Sequence, residues 1–128
     1  MMDAIGRLSE MSRQVLALAK KEAAFFQHEQ IGTEHILLAM TAVPEALATR
    51  LLRRQGIDPQ VVVREIVSNL TIGQAADSQN IVLSMAARRT IEVASRQAQR
   101  MNAEYIGTEH LLLGMLHDRD SLTTRILV

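Results

Sequence analysis

The stretch IGTEHILLAM at residues 31–40 recurs as IGTEHLLLGM at residues 106–115, with eight of ten positions identical. The offset is 75 residues, and further identities at that offset lie on both sides of the two stretches. Upstream, the residues repeated 75 positions later are Leu8, Ser9, Arg13, Ala19, Ala23 and Glu29. Downstream they are Leu47, Thr49, Arg50 and Leu52. An ungapped register of this length indicates an internal duplication.

The duplication predicts the organisation of the chain. We expect a single domain over residues 1–128, with copy one at residues 7–70, a linker at 71–80 and copy two at 82–128. A chain of 128 residues without a Gly, Ser or Pro run fits one domain. The counterpart of copy one's last helix would lie beyond Val128, so the second copy is expected to be truncated and its C-terminus to fray.

Composition indicates a helical protein with an aliphatic core. Hydrophobic residues make up 48% of the chain, but aromatic residues only 2%, and good helix formers dominate. The formal net charge is zero, which argues against nucleic acid or an acidic membrane surface as a partner. Cysteine is missing, and no apolar run is long enough to span a membrane. We expect a cytoplasmic protein, or one of the plastid stroma.

Apolar residues of copy one recur at three- and four-residue steps, as in amphipathic helices. The spacing predicts a helix over residues 9–26 with Ser9 as its N-cap, and a short helix capped by Thr33. A third helix is expected to open at Pro44 and run through Leu52. A fourth is expected over residues 60–70, after the Asp-Pro pair at 58–59. Gly56 suits the left-handed position at the C-terminal cap of the third helix.

Copy two repeats this pattern with three helices: residues 84–101, a short helix from Thr108, and one from about Ser121. The predicted fold is therefore all-α, with about seven helices in two pseudo-twofold-related copies of a four-helix repeat. Five methionines fall on apolar stripes and are predicted to be core residues: Met11, Met40, Met85, Met101 and Met115.

A long helix followed by [IV]-G-T-E-H-[IL]-L-L, occurring twice at a spacing near 75, resembles the Clp N-terminal repeat domain. The opening RLSEMSRQVLALAKKEA is similar to the start of the ClpC-type members. This resemblance implies a recognition module on an AAA+ ring, which delivers adaptor-bound or marked proteins to a ClpP-type protease. The implied partners are adaptors and protein substrates, with no cofactor.

In ClpC-type relatives the Glu of each motif belongs to a pocket for phosphorylated arginine. By position, the resemblance implies a binding role for Glu34 and Glu109. The neighbours in matching positions are Arg7, Ser9 and Thr33 in copy one, and Ser84 and Thr108 in copy two. The chemistry is reasonable, because a guanidinium-derived group favours a carboxylate and a phosphate favours hydroxyls and the amides of a helix start. The alternative is that each Glu only stabilises the start of its helix.

Other functional classes have weaker support. A small metal-dependent hydrolase would use His28, Glu34, His35, Glu109 and His110, but the spacing does not match H-E-x-x-H. Buried, hydrogen-bonded structural roles are expected for His35 and His110 instead, and a solvated ring for His117. The glycines do not form a phosphate-binding G-x-x-x-x-G-K-[ST] loop, so no enzyme activity is expected. A stand-alone Clp-repeat protein that competes for adaptors remains an alternative to a module of an unfoldase.

Overall fold

The computed structural model describes residues 4–75 and 80–128. After a short 3-10 helix (Ala4–Arg7), copy one contains four helices: α1 (Glu10–Phe25), α2 (Thr33–Thr41), α3 (Leu47–Arg54) and α4 (Pro59–Ser68). Copy two contains three: α5 (Met85–Arg100), α6 (Thr108–Leu116) and α7 (Leu122–Leu127). Two-residue strands, β1 (Gln30–Ile31) and β2 (Val82–Leu83), precede α2 and α5. The predicted helical fold with seven helices is confirmed.

The long first helix of each copy begins at the predicted cap. The hydroxyl of Ser9 accepts a hydrogen bond from the Ser12 amide at 3.1 Å, and Ser84 does the same for Ala87. Two residues after the end of each helix, a non-glycine residue takes a left-handed conformation, with φ of 58° at Gln27 and 57° at Asn102. This turn sends the chain back, so that α2 packs on α1 and α6 on α5.

The short helices α2 and α6 lie at the centre of the molecule. Every residue of α2 except Glu34 is buried. The core is aliphatic, as predicted, and residues of both copies contribute to it, including Ile36, Leu37, Met40, Leu111 and Met115. The two copies therefore share one hydrophobic core.

The start of α3 differs from the prediction. Pro44 and Glu45 lie in a turn, and the helix begins only at Leu47. Its N-cap position is an alanine without a capping side chain, and the amide of Ala48 instead donates to the Thr108 hydroxyl of copy two at 3.0 Å. A side chain from the other copy thus satisfies an amide of the first turn of α3, which sequence spacing does not reveal.

The cap residues around α4 are where the sequence predicts them. Gly56 has a φ of 79°, and the Asp58 carboxylate accepts from the Gln60 amide at 2.9 Å. The helix ends at Ser68, two residues earlier than predicted. Residues 71–75 of the linker are not helical, and residues 76–79 of the predicted linker lie outside the described residues.

Not all predicted core methionines are buried. Met40 and Met115 are in the core and Met11 is half-buried, but Met85 is 73% exposed and Met101 57%. They stand at the first residue of α5 and just after its end, where a helix presents fewer residues to its neighbours.

Among residues 4–75 and 80–128 there is no helix long and apolar enough to cross a bilayer.

Candidate functional site

Two reciprocal backbone contacts bring the start of each short helix beside the start of the other copy's long helix. Strand β1 pairs in parallel with β2, and the Ser84 amide donates to the Ile31 carbonyl at 3.0 Å. At the position related by the repeat, Leu8 bridges Ile106, and the Ser9 amide donates to the Ile106 carbonyl at 2.9 Å. The starts of α2 and α5 therefore meet, as do those of α6 and α1.

A cleft of about 490 Å³ lies at the first of these junctions. Its lining includes Thr33 and Glu34 from copy one and Ser84 from copy two, so three of the predicted site residues come together across the copies. No lysine or arginine is among its lining residues, which are Gln27, His28, Glu29, Gln30, Gly32, Thr33, Glu34, His35, Gly73, Gln74, Ser84 and Ala86. Copy one and copy two both contribute walls, although the predicted assignment treated each copy's residues as a separate group.

The glycine of each motif leaves room for the carboxylate two residues later. A Cβ atom on Gly32 would overlap the carboxylate of Glu34, and one on Gly107 would overlap that of Glu109. Each carboxylate thus folds back over the N-cap of its own helix. The Glu34 side chain is 28% exposed, so it is held near the protein surface at the cleft while remaining accessible to a ligand.

The two serines hold equivalent positions. Each serine oxygen accepts the capping hydrogen bond of a long helix, at α1 for Ser9 and at α5 for Ser84. The Ser9 hydroxyl also donates to the Ser12 hydroxyl at 3.0 Å. Ser84 faces the cleft beside α2, and its hydroxyl proton is suited to donate to an anion there.

The threonines are more buried than their predicted role suggests. Thr108 is 2% exposed, and its hydroxyl accepts the Ala48 amide described above. Thr33 is 7% exposed and lies in the wall of the cleft. Arg7 is half-buried, and its backbone carbonyl accepts from the Ile106 amide at 2.8 Å. Arg7 therefore lies next to the junction of α6 and α1, on the side of Glu109.

His35 and His110 have the buried, hydrogen-bonded roles that the sequence predicts. They are 1% and 3% exposed. In each, Nδ1 accepts a hydrogen bond at 2.8 Å from the backbone amide of the motif glycine, Gly32 or Gly107. The imidazole therefore satisfies the amide of the N-cap glycine, as the N3 side chain of a capping box does. Thr33, predicted as the N-cap, is instead the first residue of α2. His117 is exposed, as expected.

His28 makes a contact that sequence spacing does not reveal. Its Nδ1 lies 2.8 Å from Nε2 of His35, and its Nε2 lies 2.6 Å from the carbonyl oxygen of Thr71 in the linker. The ring also stacks on Phe26, with centroids 5.8 Å apart. The seven-residue separation of His28 and His35 crosses a turn and a strand, so no helical or strand period places the two rings together.

Burial lowers the pKa of His35 below its usual value of 6.5, since desolvation disfavours the charged ring. The Glu34 carboxylate, 3.5 Å from Nδ1, acts in the opposite direction, and His28 adds to the lowering. The contact with Glu34 is therefore not an ion pair at neutral pH, because Nδ1 of the neutral ring is occupied by the Gly32 amide.

The histidines and carboxylates do not form a recognisable metal centre. Within residues 4–75 and 80–128, no three potential ligands among His, Cys, Asp and Glu are grouped for a metal ion. His35 and His110 are each committed through Nδ1 to a backbone amide. The residues of the hydrolase alternative are thus divided between two helix starts, and its three histidines are already used in hydrogen bonds.

Comparison with known proteins identifies the family. Residues 7–128 match the Clp repeat (R) N-terminal domain. ClpC/MecB of Bacillus subtilis, a negative regulator of genetic competence, is 36% identical over 122 residues, and the chaperone ClpB of Oceanobacillus iheyensis is 32% identical over 122. Each match covers 95% of this chain but 15% of the relative, so the chain corresponds to a small part of those proteins.

Solved structures agree with this result at the level of the fold. The ClpV N-domain in its complex with a VipB peptide superposes with a TM-score of 0.85 at 19% identity, covering 97% of this chain and 78% of that one. The N-terminal domain of ClpD from Arabidopsis thaliana gives a TM-score of 0.74 at 21% identity, covering 96% and 86%. This chain belongs to the Clp repeat N-terminal domain family.

Proposed function

We propose that this chain is the recognition module of a Clp-type AAA+ protein unfoldase. It binds adaptor proteins and protein substrates and passes them to the ATPase ring of the parent subunit, and through that ring to a ClpP-type protease in the cytoplasm. Support comes from the relatives, which include the ATP-binding subunit ClpC of an ATP-dependent Clp protease in Staphylococcus aureus. The ClpV N-domain, which shares the fold, was solved with a peptide.

The ligand we propose for the site is phosphoarginine on a protein marked for degradation. The observation that carries this proposal is the cleft where Glu34, the start of α2 and the start of α5 meet. Helix starts favour an anion, because their first amides lack intrahelical partners and the helix dipole is positive there. A carboxylate beside them favours the guanidinium-derived group of the same ligand.

Each group in the cleft has a distinct task. The Glu34 carboxylate, which lies over Gly32, accepts hydrogen bonds from the N–H groups of the guanidinium-derived portion. The first-turn amides of α2 and the Ser84 hydroxyl donate to the phosphate oxygens. Because no lysine or arginine lines the cleft, helix dipoles and neutral donors provide the favourable electrostatics for the phosphate. By the same pseudo-twofold relation we propose a second site at Glu109, with Ser9 in the position of Ser84 and Thr108 in that of Thr33. Arg7 lies next to this second junction, and its equivalent by the repeat is Val82.

Calorimetric titration of free phosphoarginine into the protein tests this proposal, with arginine and inorganic phosphate as control ligands. We expect two sites per wild-type chain, and no binding by the double variant Glu34→Ala, Glu109→Ala. Circular dichroism and a thermal melt establish that the variant is folded. If the folded wild type does not bind phosphoarginine, this ligand is wrong and adaptor docking remains the function.

A second variant separates a specific carboxylate from general negative charge. Glu29 lines the same cleft but lies outside the GTEH motif and is exposed. We expect Glu29→Ala to retain both sites with less than about a fivefold change in affinity, since an exposed charge in high dielectric contributes about 1 kcal/mol or less. Equal losses from Glu29→Ala and Glu34→Ala would contradict the assigned role of Glu34.

A further inference from the structure

We propose that His28 and His35 form a proton-sensitive latch, which holds linker residues 71–75 beside the Glu34 cleft at neutral pH and releases them on protonation. The idea that this release regulates ligand access rests on the proposed function. The latch itself does not, because it follows from hydrogen bonds within the chain.

The chain of hydrogen bonds has one consistent direction. The Gly32 amide can only donate, so Nδ1 of His35 accepts and the proton of the neutral ring is on Nε2. That Nε2–H donates to Nδ1 of His28, 2.8 Å away. The proton of His28 is then on its Nε2 and donates to the Thr71 carbonyl at 2.6 Å. Both rings must be neutral for all three bonds to exist.

An added proton breaks this chain wherever it binds. If His28 gains it, Nδ1–H of His28 opposes Nε2–H of His35. If His35 shifts its own proton to Nδ1 in response, that N–H opposes the Gly32 amide instead. One donor–donor contact therefore remains in every arrangement of the protonated pair. It is relieved when the half-buried His28 ring moves away from His35, and the exposed Thr71 carbonyl, which still accepts from Nε2–H of His28, moves with it.

The linker is held directly against this pair. The Gly73 amide donates to the Phe26 carbonyl at 2.7 Å, and the Ala75 amide donates to the Gln27 carbonyl at 2.9 Å. A Cβ atom on Gly73 would overlap the Gln27 carbonyl and would lie 3.0 Å from a ring carbon of His28. Gly73 follows Thr71 by two residues, so displacement of the His28 ring together with Thr71 also strains the hydrogen bonds of the Gly73 and Ala75 amides.

The same linker residues form part of the ligand cleft. Gly73 and Gln74 line it together with Glu34 and Ser84. Release of the linker thus removes one wall of the cleft and changes access to Glu34. This is the step that connects the protonation of the histidines to the proposed function.

Among the described residues that line the cleft, the charged groups beside the latch are Glu34 and Glu29. Glu34 on α2, 3.5 Å from Nδ1 of His35, favours protonation. Glu29, between α1 and β1, lines the same cleft. The linker and the start of α5 contribute Gly73, Gln74, Ser84 and Ala86 to that lining, and these side chains do not titrate. Burial outweighs the effect of Glu34 and lowers the pKa of His35.

Copy two provides an internal control. His110 accepts from the Gly107 amide as His35 does from Gly32, but the position equivalent to His28 is Ala103. Copy two therefore has no histidine in the position of His28, and the latch can form in copy one only.

Amide exchange of the ligand-free protein, measured by NMR, tests the latch. From about pH 7.5 to about pH 5, where histidines titrate, we expect protection of the Gly73 and Ala75 amides to fall after correction for intrinsic exchange. Between the pKa values of the closed and open forms, the ratio of open to closed linker should rise about tenfold per pH unit. The His35 ring resonances should titrate with the same midpoint.

Three variants complete the test. In His28→Ala the two amides should exchange fast at every pH, whereas His28→Gln keeps a neutral donor for Thr71 and should stay protected throughout. His110→Ala should show the pH dependence of the wild type. Constant protection in the wild type, or equal pH dependence in wild type and His28→Ala, would overturn the latch. Since no ligand is present, either result leaves the proposed phosphoarginine site to be judged by its own titration.

Discussion

Copy one and copy two begin their short helices with the same five residues, IGTEH, but pack those helices differently. In copy two, Gly114 of α6 lies so close to α5 that a Cβ atom would overlap the Thr90 carbonyl and lie 3.3 Å from the Ala94 amide nitrogen. Copy one has Ala39 at the equivalent position and accommodates its methyl group in the core. The same motif therefore tolerates two distances between the helices.

The polar surroundings of the two motifs differ as well. The hydrogen bonds of His35 extend through His28 to the linker, whereas Ala103, at the position equivalent to His28, cannot extend those of His110. On the other side, the Ser12 hydroxyl donates to the Ile106 carbonyl at 2.8 Å, and its counterpart is an alanine. The motif residues thus perform the shared structural task, while the residues around them distinguish the copies.

The largest effect is expected from Gly114→Ala. Backbone atoms of α5 cannot move away as a flexible side chain could, so overpacking should lower the free energy of unfolding by about 1–3 kcal/mol. The matched change Ala39→Gly removes a buried methyl group and lowers helix propensity, at a cost of about 1 kcal/mol. Urea unfolding followed by circular dichroism measures both. A neutral Gly114→Ala would contradict the close approach of α5 and α6.

A second comparison concerns the threonine of each motif. Thr108→Val removes the acceptor for the buried Ala48 amide, and an unsatisfied buried donor costs about 1–3 kcal/mol. In the described part of the chain, Thr33 makes no matching hydrogen bond to the first turn of α7. Thr33→Val should therefore cost less, under about 1 kcal/mol. Equal losses of stability in Thr108→Val and Thr33→Val would contradict a stabilising role for the hydrogen bond from the Ala48 amide to the Thr108 hydroxyl.

The smallest effect on stability is expected from pH. The pKa of His35 is lower in the folded protein than the unfolded value of 6.5, so the unfolded chain binds the proton first as pH falls. The contribution of His35 is complete above pH 6.5 and is lost as the pH falls from there through the folded pKa. The slope cannot exceed about 1.4 kcal/mol per pH unit.

Urea unfolding over this pH range measures the effect. His35→Asn is the reference, because it keeps an acceptor near the Gly32 amide but does not titrate. The wild type should lose more stability than this variant on acidification. Identical pH profiles would mean that burial does not lower the pKa of His35.

Much of the fold could be predicted from the sequence, because the helix patterns of copy one recur in copy two. The caps at Ser9, Ser84 and Asp58 and the left-handed Gly56 depend on local backbone geometry, which residue type indicates well. The buried roles of His35 and His110 were predicted because the spacing of the histidines does not fit the H-E-x-x-H metal motif.

The features that could not be predicted depend on contacts between distant residues. Strands of two residues are too short to show a period in the sequence. The junction that brings Glu34 close to Ser84 could therefore not be predicted from the sequence. The start of α3 depends on Thr108, 60 residues away. For the same reason the predicted site was divided by copy, whereas the structure forms each junction from both copies.

The central claim is that the two repeats form two separate ligand sites, one at Glu34 and one at Glu109. Calorimetry of the single variants Glu34→Ala and Glu109→Ala with phosphoarginine tests it most directly. We predict that the stoichiometry falls from two sites per chain to one in each variant, with the remaining affinity unchanged. Loss of all binding in one single variant, or two sites retained in both, would contradict the account.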